Sequence, residues 1–232
     1  QYIMKKIKIM VLTDSTGNPR SFPIEEAVSL DESHPYLLRE EYPDAIFWQL
    51  SYGNMEAQNI INSAAGYLND WNPDIIIVQL GIIDCRTEAF TEFQKLIIAK
   101  FLGPFFRFLG KHTYNPRLIK YRKISRVSKV KFKKIITKFN IIFNNSKFFW
   151  LEVSVHPDYE SARPGTYSRV KDYNKIIADV FGDGLVKIQS KLLDNHGFNN
   201  DNLHLNKVGH KVIADELKFL IDKHIRANYE KK

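Results

Sequence analysis

The chain is poor in cysteine and has no long apolar run. Only one of its 232 residues, Cys85, is a cysteine, which excludes a disulfide framework and a zinc site built on cysteine thiolates. No stretch approaches the roughly 20 apolar residues that a membrane-spanning helix needs. The apolar run at 7–12 is too short for a signal peptide and has no small-residue cleavage site. We therefore expect a cytoplasmic location.

The composition excludes a disordered protein. Hydrophobic residues make up 44% of the chain and aromatic residues 13%, which is more than a disordered segment carries. A chain of this length can bury a sizeable core. We expect one α/β domain that covers 1–232.

Acidic residues are absent from one long segment. Between Phe93 and Leu151 there are fifteen Lys or Arg and no Asp or Glu, whereas the rest of the chain has 19 basic and 26 acidic residues. Such segregation is typical of a surface that binds polyanions or anionic lipid. We expect the Lys/Arg-rich part, 107–138, to contact an anionic membrane surface, which would place the protein at the inner membrane face. A nucleic-acid partner is not expected, because the segment has no known nucleic-acid-binding motif.

Apolar strands alternate with helical stretches along most of the chain. Strands are predicted at 5–13, 44–51, 75–80, 148–153 and 185–188, and helices at 56–71, 167–181 and 205–225. This alternation predicts an α/β fold in which a parallel sheet has helices on both faces.

The basic segment interrupts this order as a helical insertion at 91–145. Its first predicted helix, 91–109, is expected to kink at Gly103-Pro104. The second, 116–143, has an apolar stripe of Tyr121, Ile124, Val127, Val130, Ile135, Phe139 and Ile142. An alternative to lipid binding is a helix that packs on the sheet and leaves a cationic outer face to solvent.

Polar residues follow the predicted strands, where an open parallel sheet binds its ligands. These residues are Asp14, Ser15, Asn18, Arg20, Gly53, Asn54, Gly81, Asp84, Arg86, His156 and Arg163, and the loop before the last helix adds Asp201 and His204. A serine, a histidine and an acid therefore converge on one edge of the sheet. They are the components of a nucleophilic serine site.

Two of these positions have a specific chemical rationale. Ser15 lies where a strand turns into a helix, so its N–H can face a developing oxyanion, although a plain N-cap is the alternative. Asp201 precedes His204 by three residues, so its carboxylate can orient one imidazole nitrogen and leave the other for a serine. Asp31 and His34 have the same spacing, but Pro35 follows and no strand end brings them to the site.

Four short blocks, in this order, resemble the SGNH, or GDSL-like, hydrolases. Thr13–Ser15 matches the Gly-Asp-Ser block, Gly53 the oxyanion glycine, Gly81–Asp84 the Gly-x-Asn-Asp block, and Asp201 with His204 the Asp-x-x-His block. The resemblance implies a three-layer αβα fold with a flavodoxin-like parallel sheet. It also implies Ser15 as nucleophile, His204 as base and Asp201 as its partner.

The resemblance further implies that the N–H groups of Ser15 and Gly53 hold the oxyanion. Two positions depart from the family pattern: Thr13 replaces a glycine, and Ile83 replaces the asparagine whose amide donates to the oxyanion. Loss of one such donor costs on the order of 10²–10³ in rate. Asn54 is the candidate replacement. The alternative is a catalytically degenerate protein that binds a glycan or an anionic polymer.

The activity implied by the resemblance is ester hydrolysis or O-acyl transfer, on an acylated glycan or another ester, in polysaccharide biosynthesis or modification. The expected substrate-binding residues are Asp14, Arg20, Gly81, Asp84, Arg86, His156 and Arg163. The three arginines indicate a substrate with carboxylate or phosphate groups, with ordinary surface ion pairs as the alternative. No cofactor and no metal are expected. The histidines lack the spacing and the additional ligands of a zinc site.

Overall fold

The centre of the fold is a sheet of five parallel strands. The computed structural model describes residues 6–102 and 114–229, and it contains the strands β1 (Lys8–Thr13), β2 (Ile46–Ser51), β3 (Ile75–Gln79), β6 (Lys147–Leu151) and β7 (Leu185–Val186). Their order across the sheet is β2-β1-β3-β6-β7, which is the flavodoxin-like order. The predicted parallel α/β fold is confirmed.

The central strands are apolar on both faces because both faces are covered. The side chains of β3 from Ile75 to Val78 are fully buried, as are those of β1 from Ile9 to Thr13. A strand that is buried on both sides loses the alternation of apolar and polar residues. The continuous apolar runs that predicted these strands therefore also indicate the two helical layers.

Ten helices surround the sheet in the described residues. They are α1 (His34–Glu41), α2 (Ala57–Leu68), α3 (Ile82–Cys85), α4 (Glu92–Leu102), α5 (Pro116–Arg122), α6 (Lys129–Ile142), α7 (Tyr159–Ala162), α8 (Thr166–Phe181), α9 (Gln189–Asp194) and α10 (Lys207–Tyr229). Helices α2, α6 and α8 pack on one face of the sheet, and α1 and α10 pack on the other. None of the helices in the described residues has the length and apolarity that crossing a membrane requires.

The predicted helix at 116–143 is wrong, because a short strand divides it. Helix α5 ends at Arg122 and is capped by Lys123, which has φ 45°, and β5 (Ile124–Ser125) then pairs antiparallel with β4 (Thr87–Glu88). The Ser128 side chain accepts a hydrogen bond from the Lys131 N–H and so begins α6 as a separate helix. The pairing with β4 is non-local, so helical periodicity could not reveal it.

The predicted stripe is correct at Val127 and Phe139, which are buried, and at Ile135 and Ile142, which are partly buried against the core, but it is wrong at Val130. Phe132, Ile136 and Phe139 are buried, whereas Val130 is 82% exposed. On α5, Tyr121 is likewise exposed. For the first predicted helix, the structure gives α4 as far as Leu102, and the Gly103-Pro104 kink and the remainder of that helix lie outside the described residues.

Candidate active site

Ser15, His204 and Asp201 form a hydrogen-bonded chain at the carboxyl edge of the sheet. The Ser15 Oγ lies 3.1 Å from Nε2 of His204, and Nδ1 of the same ring lies 2.6 Å from Oδ2 of Asp201. Ser15 and His204 are 189 positions apart in the sequence, so the fold brings the two ends of the chain together. This geometry lets the imidazole take the hydroxyl proton while the carboxylate holds the ring in one tautomer.

The end of β1 places Ser15. A short 3₁₀ turn, Ser15–Gly17, follows the strand, and the Asp14 carboxylate caps it by accepting from the Thr16 N–H at 2.9 Å and the Thr16 hydroxyl at 2.6 Å. Burial raises the pKa of Asp14, although these hydrogen bonds oppose the shift. Asp14 is only 1% exposed, so it shapes the turn that presents Ser15, and the expected role in substrate binding is corrected on this point.

An Asx-type turn places His204. Asp201 Oδ1 accepts from the N–H of Leu203 at 3.0 Å and from the N–H of His204 at 2.9 Å, while Asn202 adopts a left-handed φ of 61°. One carboxylate therefore holds both the backbone and the ring of His204. The i, i+3 spacing seen in the sequence is what this turn requires.

Arg20 is the second partner of the Asp201 carboxylate. Its Nη1 lies 2.5 Å from Asp201 Oδ2, and its Nε donates to the Phe22 carbonyl at 2.7 Å. Burial alone would raise the pKa of Asp201, but the hydrogen bonds from His204 and Arg20 outweigh it and hold that pKa well below its usual 3.8. Arg20 was expected to bind substrate; its guanidinium contacts Asp201, and its side chain also lines the cleft beside Ser15.

Gly53 and Asn54 follow the end of β2. A methyl group at residue 53 would lie 3.8 Å from Ser15 Cβ, so Gly53 is adjacent to Ser15. Asn54 has φ 58°, and its Oδ1 accepts from Arg86 Nη2 at 3.2 Å and from Arg126 Nη1 at 3.3 Å. With the carbonyl oxygen held by two guanidiniums, the amide nitrogen is the group left to donate.

Ile83 leaves no polar group where the family pattern has asparagine. Its side chain is 2% exposed and belongs to the apolar core between the sheet and α2, α6 and α8. Arg126 was not singled out from the sequence, because the basic segment offers many arginines and lysines without distinguishing them. Only its position at the start of α6 brings it to Asn54.

Gly81 and Asp84 are structural rather than substrate-facing. Gly81 has φ 121°, and a methyl group there would lie 2.8 Å from a Val153 methyl, so only glycine fits this turn. Asp84 is fully buried, and its carboxylate accepts from the Ala57 N–H at 3.0 Å, which caps α2. Burial raises the pKa of Asp84 to about 7. The expectation that Asp84 binds substrate is corrected by this burial.

Arg86 and Arg163 are also engaged by protein groups. Arg86 pairs with Glu88 at 3.1 Å, while Arg163 donates to the Thr87 carbonyl at 3.3 Å and stacks on the Tyr114 ring at 4.8 Å. The alternative reading of ordinary ion pairs and hydrogen bonds therefore describes these arginines in the structure. These contacts occupy only part of each guanidinium, so binding of a substrate carboxylate or phosphate by these arginines stays a prediction.

His156 lies in a separate cleft. That cleft has a volume of about 270 Å³ and is lined by His156, Leu193, His196, Phe198, Asn199, Asn200 and Asn202. The cleft beside the Ser15 hydroxyl has a volume of about 320 Å³ and is lined by Ser15, Thr16, Asn18, Pro19, Arg20, His204 and Leu205. In the described residues, no group of three His, Cys, Asp or Glu is arranged to hold a metal ion.

Solved structures with the same fold include enzymes that are named as esterases and as a lipase/acylhydrolase. The lipase/acylhydrolase from Enterococcus faecalis has a TM-score of 0.65 at 12% identity, over 94% of this chain and 96% of that one. The psychrotrophic esterase EstA from Pseudoalteromonas sp. has a TM-score of 0.56 at 15% sequence identity, and the match covers 94% of this chain and 98% of EstA. An acetylxylan esterase from Geobacillus stearothermophilus has a TM-score of 0.57 at 13% sequence identity, and the match covers 91% of this chain and 92% of the esterase.

No family model and no curated protein matches the sequence. At these identities, the structural similarities establish the fold, which is the one that the four sequence blocks predicted.

Proposed function

We propose that the protein is a serine-dependent ester hydrolase that acts on O-acylated carbohydrate. The observation that carries this proposal is the pair of contacts at the His204 ring, 3.1 Å to the Ser15 hydroxyl and 2.6 Å to the Asp201 carboxylate. These are hydrogen-bond distances for a base that must reach a nucleophile and be oriented by an acid. The fold is shared with esterases and acylhydrolases.

In the proposed acylation step, His204 Nε2 takes the Ser15 proton as Oγ bonds to the ester carbonyl carbon. The carbonyl oxygen becomes an oxyanion that the N–H groups of Ser15 and Gly53 hold. The tetrahedral intermediate then breaks its bond to the alcohol oxygen, which receives the proton from His204. The acyl group remains on Ser15 Oγ.

The deacylation step repeats this chemistry with a second nucleophile. If water attacks, the product is a free acid and the enzyme is an esterase. If a sugar hydroxyl attacks, the enzyme is an O-acyltransferase, with a role in polysaccharide biosynthesis or modification. The open cleft beside Ser15 admits either acceptor. Carbohydrate is the proposed substrate class because an acetylxylan esterase shares the fold over nearly its full length.

At Ile83 the chain lacks the asparagine that donates to the oxyanion in the family pattern, and Asn54 is the proposed replacement donor. The Asn54 carbonyl oxygen is held by Arg86 and Arg126, which leaves its amide nitrogen as a donor beside Gly53. We propose that this nitrogen supplies the third oxyanion hydrogen bond that Ile83 cannot.

Covalent labelling with a fluorophosphonate, followed by mass spectrometry of the modified peptide, tests the proposal. Labelling is expected on Ser15, and Ser15→Ala is expected to lower hydrolysis of p-nitrophenyl acetate by at least about 10³-fold. Ser168→Ala, in an exposed serine remote from the cleft, is the matched control and is expected to keep wild-type activity. Equal rates for wild type and Ser15→Ala would instead favour the catalytically degenerate glycan-binding protein.

A second measurement separates hydrolysis from transfer. With p-nitrophenyl acetate as donor and a xylo-oligosaccharide added as acceptor, an esterase releases acetate in proportion to p-nitrophenol. An acyltransferase gives acetylated sugar at the expense of acetate. We expect acetate.

A further inference from the structure

The outer face of α6 combines unpaired lysines with exposed aliphatic side chains. The buried side of the helix is Phe132, Ile136 and Phe139. The opposite side, at helical spacing, consists of Val130, Lys131, Lys134, Thr137, Lys138 and Ile141, all of which are exposed. We call this set the α6 outer face. It has no acidic residue.

The lysines of α6 divide into two groups. Lys129 and Lys133 lie on the flank toward α8 and pair with Asp172 at 3.1 Å and Asp179 at 3.8 Å. In contrast, no acidic side chain of the described chain lies within ion-pair distance of the three lysines on the α6 outer face. The flanking lysines are therefore part of the packing between helices, and the outer three leave their charge to a partner.

The aliphatic residues decide which kind of polyanion fits. Val130 and Ile141 are 82% and 66% exposed, and they are separated by three helical turns, about 16 Å along the axis. An anionic glycan or a nucleic acid could neutralise the lysines but would leave both side chains in water. A bilayer with anionic headgroups takes the charges at its surface and the aliphatic groups at the interface.

The same face is connected to the candidate active site. Arg126, three residues before the start of α6, contacts Asn54 at 3.3 Å, and it also lies 3.5 Å from Glu92 at the start of α4. Helix α4 exposes Phe93 and Leu96. Both helices therefore begin near the catalytic edge of the sheet and present apolar side chains to solvent.

We propose that the α6 outer face docks on an anionic phospholipid bilayer. Lys131, Lys134 and Lys138 contact the headgroups, and Val130 and Ile141 enter the interfacial region. Docking would bring the catalytic edge to the membrane surface, where the substrate would be a lipid-linked or membrane-apposed ester. The docking itself does not depend on the proposed catalysis.

Co-sedimentation with vesicles tests the docking. The full chain is mixed with vesicles of 30% phosphatidylserine in phosphatidylcholine, or of phosphatidylcholine alone, in 0.05 M and 0.5 M salt. We expect binding to the anionic vesicles only, and weaker binding at high salt. Since each lysine near the surface contributes about a fivefold effect, Lys131→Gln, Lys134→Gln and Lys138→Gln together are expected to lower the partition coefficient about 100-fold.

The control is a triple variant with the same loss of charge elsewhere. Lys187→Gln, Lys211→Gln and Lys223→Gln remove three exposed charges away from α6 and are expected to change the partition coefficient less than about threefold. Val130→Ser with Ile141→Ser keeps every charge and is expected to weaken binding at both salt concentrations. Hydrolysis of p-nitrophenyl acetate is expected to stay at the wild-type rate in all these variants.

Three results would overturn the proposal. They are equal binding to neutral and anionic vesicles, equal loss in the two triple variants, and no loss in the serine variant. Binding of a labelled 20-base-pair duplex that requires the three α6 lysines, without any vesicle binding, would also overturn it and identify a nucleic-acid surface instead.

Discussion

Arg20 and His204 bind the same oxygen of Asp201, at 2.5 and 2.6 Å. A carboxylate that serves two cations or donors is held in place from both sides, and its pKa is kept low. The sequence blocks name Asp201 and His204 but not this third partner. Arg20 is therefore a positioning residue for the proposed catalytic pair.

Removal of Arg20 should affect turnover rather than substrate binding. Arg20→Gln leaves Asp201 with the imidazole and backbone donors alone, and we expect kcat to fall about tenfold, the equivalent of one hydrogen bond to a charged group. The KM for neutral p-nitrophenyl acetate should stay within about twofold. Steady-state kinetics of Arg20→Gln and Arg20→Lys measure both. An unchanged kcat, with a raised KM for anionic esters only, would show that Arg20 binds substrate.

The Asn54 amide should contribute to kcat. Asn54→Ala is expected to lower kcat about 10²-fold with little change in KM, because an oxyanion donor acts in the transition state. Asn54→Asp keeps the contacts to the arginines but loses the donor, so its kcat should fall at least as far. A wild-type kcat in Asn54→Ala would contradict the role.

Arg126 should act through Asn54. Arg126→Gln is expected to lower kcat about fivefold, because the amide loses one of the two donors that orient it, and Arg126→Lys should recover part of the loss. Arg117→Gln, an exposed arginine on α5, is the matched control. The double variant Asn54→Ala/Arg126→Gln tests the coupling. If Arg126→Gln lowers kcat by the same factor in the Asn54→Ala background as in wild type, the two residues act independently.

His34 and His210 should make the protein sensitive to mild acid. Their rings lie face to face in the core, with 3.0 Å between the two Nδ1 atoms. Burial lowers the pKa of both, that of His210 to about 4. The unfolded chain takes up protons near pH 6.5 and the folded chain does not, so the free energy of unfolding falls as the pH drops below 6.5.

The expected slope is about 1 kcal/mol per pH unit for each histidine between pH 6.5 and the folded-state pKa. Urea unfolding of wild type and His210→Gln from pH 7.5 to 5 measures it, and the variant should have the smaller slope, whatever its stability at pH 7.5. His196→Gln, in an exposed histidine, should keep the wild-type slope. A steeper slope in His210→Gln would refute the assignment.

Asp84 should act in the opposite direction. Burial raises its pKa to about 7, with the negative charges of Glu56 and Asp14 adding to the shift. The folded chain therefore keeps a proton that the unfolded chain releases near pH 4, so the stabilising contribution is complete below pH 4 and is lost as the pH rises through 7.

Asp84→Asn cannot titrate, and we expect the difference in unfolding free energy between wild type and this variant to change by about 1 kcal/mol per pH unit between pH 4 and 7. The same urea titrations record it. Asp172→Asn, on the surface of α8, serves as the reference. A difference that does not vary with pH would mean that the carboxyl of Asp84 does not hold its proton in the folded protein.

Local patterns in the sequence were sufficient for the strands and for the candidate catalytic residues. The apolar runs of β1 and β3 predict buried parallel strands because each side chain reports its own burial. The spacing of Asp201 and His204 predicts their contact because the two lie in one turn. The positions of Ser15 and Gly53 after their strands follow from the edge at which parallel strands end.

Contacts between distant segments were decided only by the tertiary structure. The pairing of β5 with β4 divides a segment that the sequence pattern predicts to be one helix. Asp84, which the sequence predicts to bind substrate, is buried where it caps α2. Arg20 donates a hydrogen bond to Asp201, and Arg126 donates one to Asn54, 72 positions away in the sequence. A charged or polar side chain carries the same sequence signal whether it meets substrate, solvent or another residue, because its partner is set by packing that no local pattern contains.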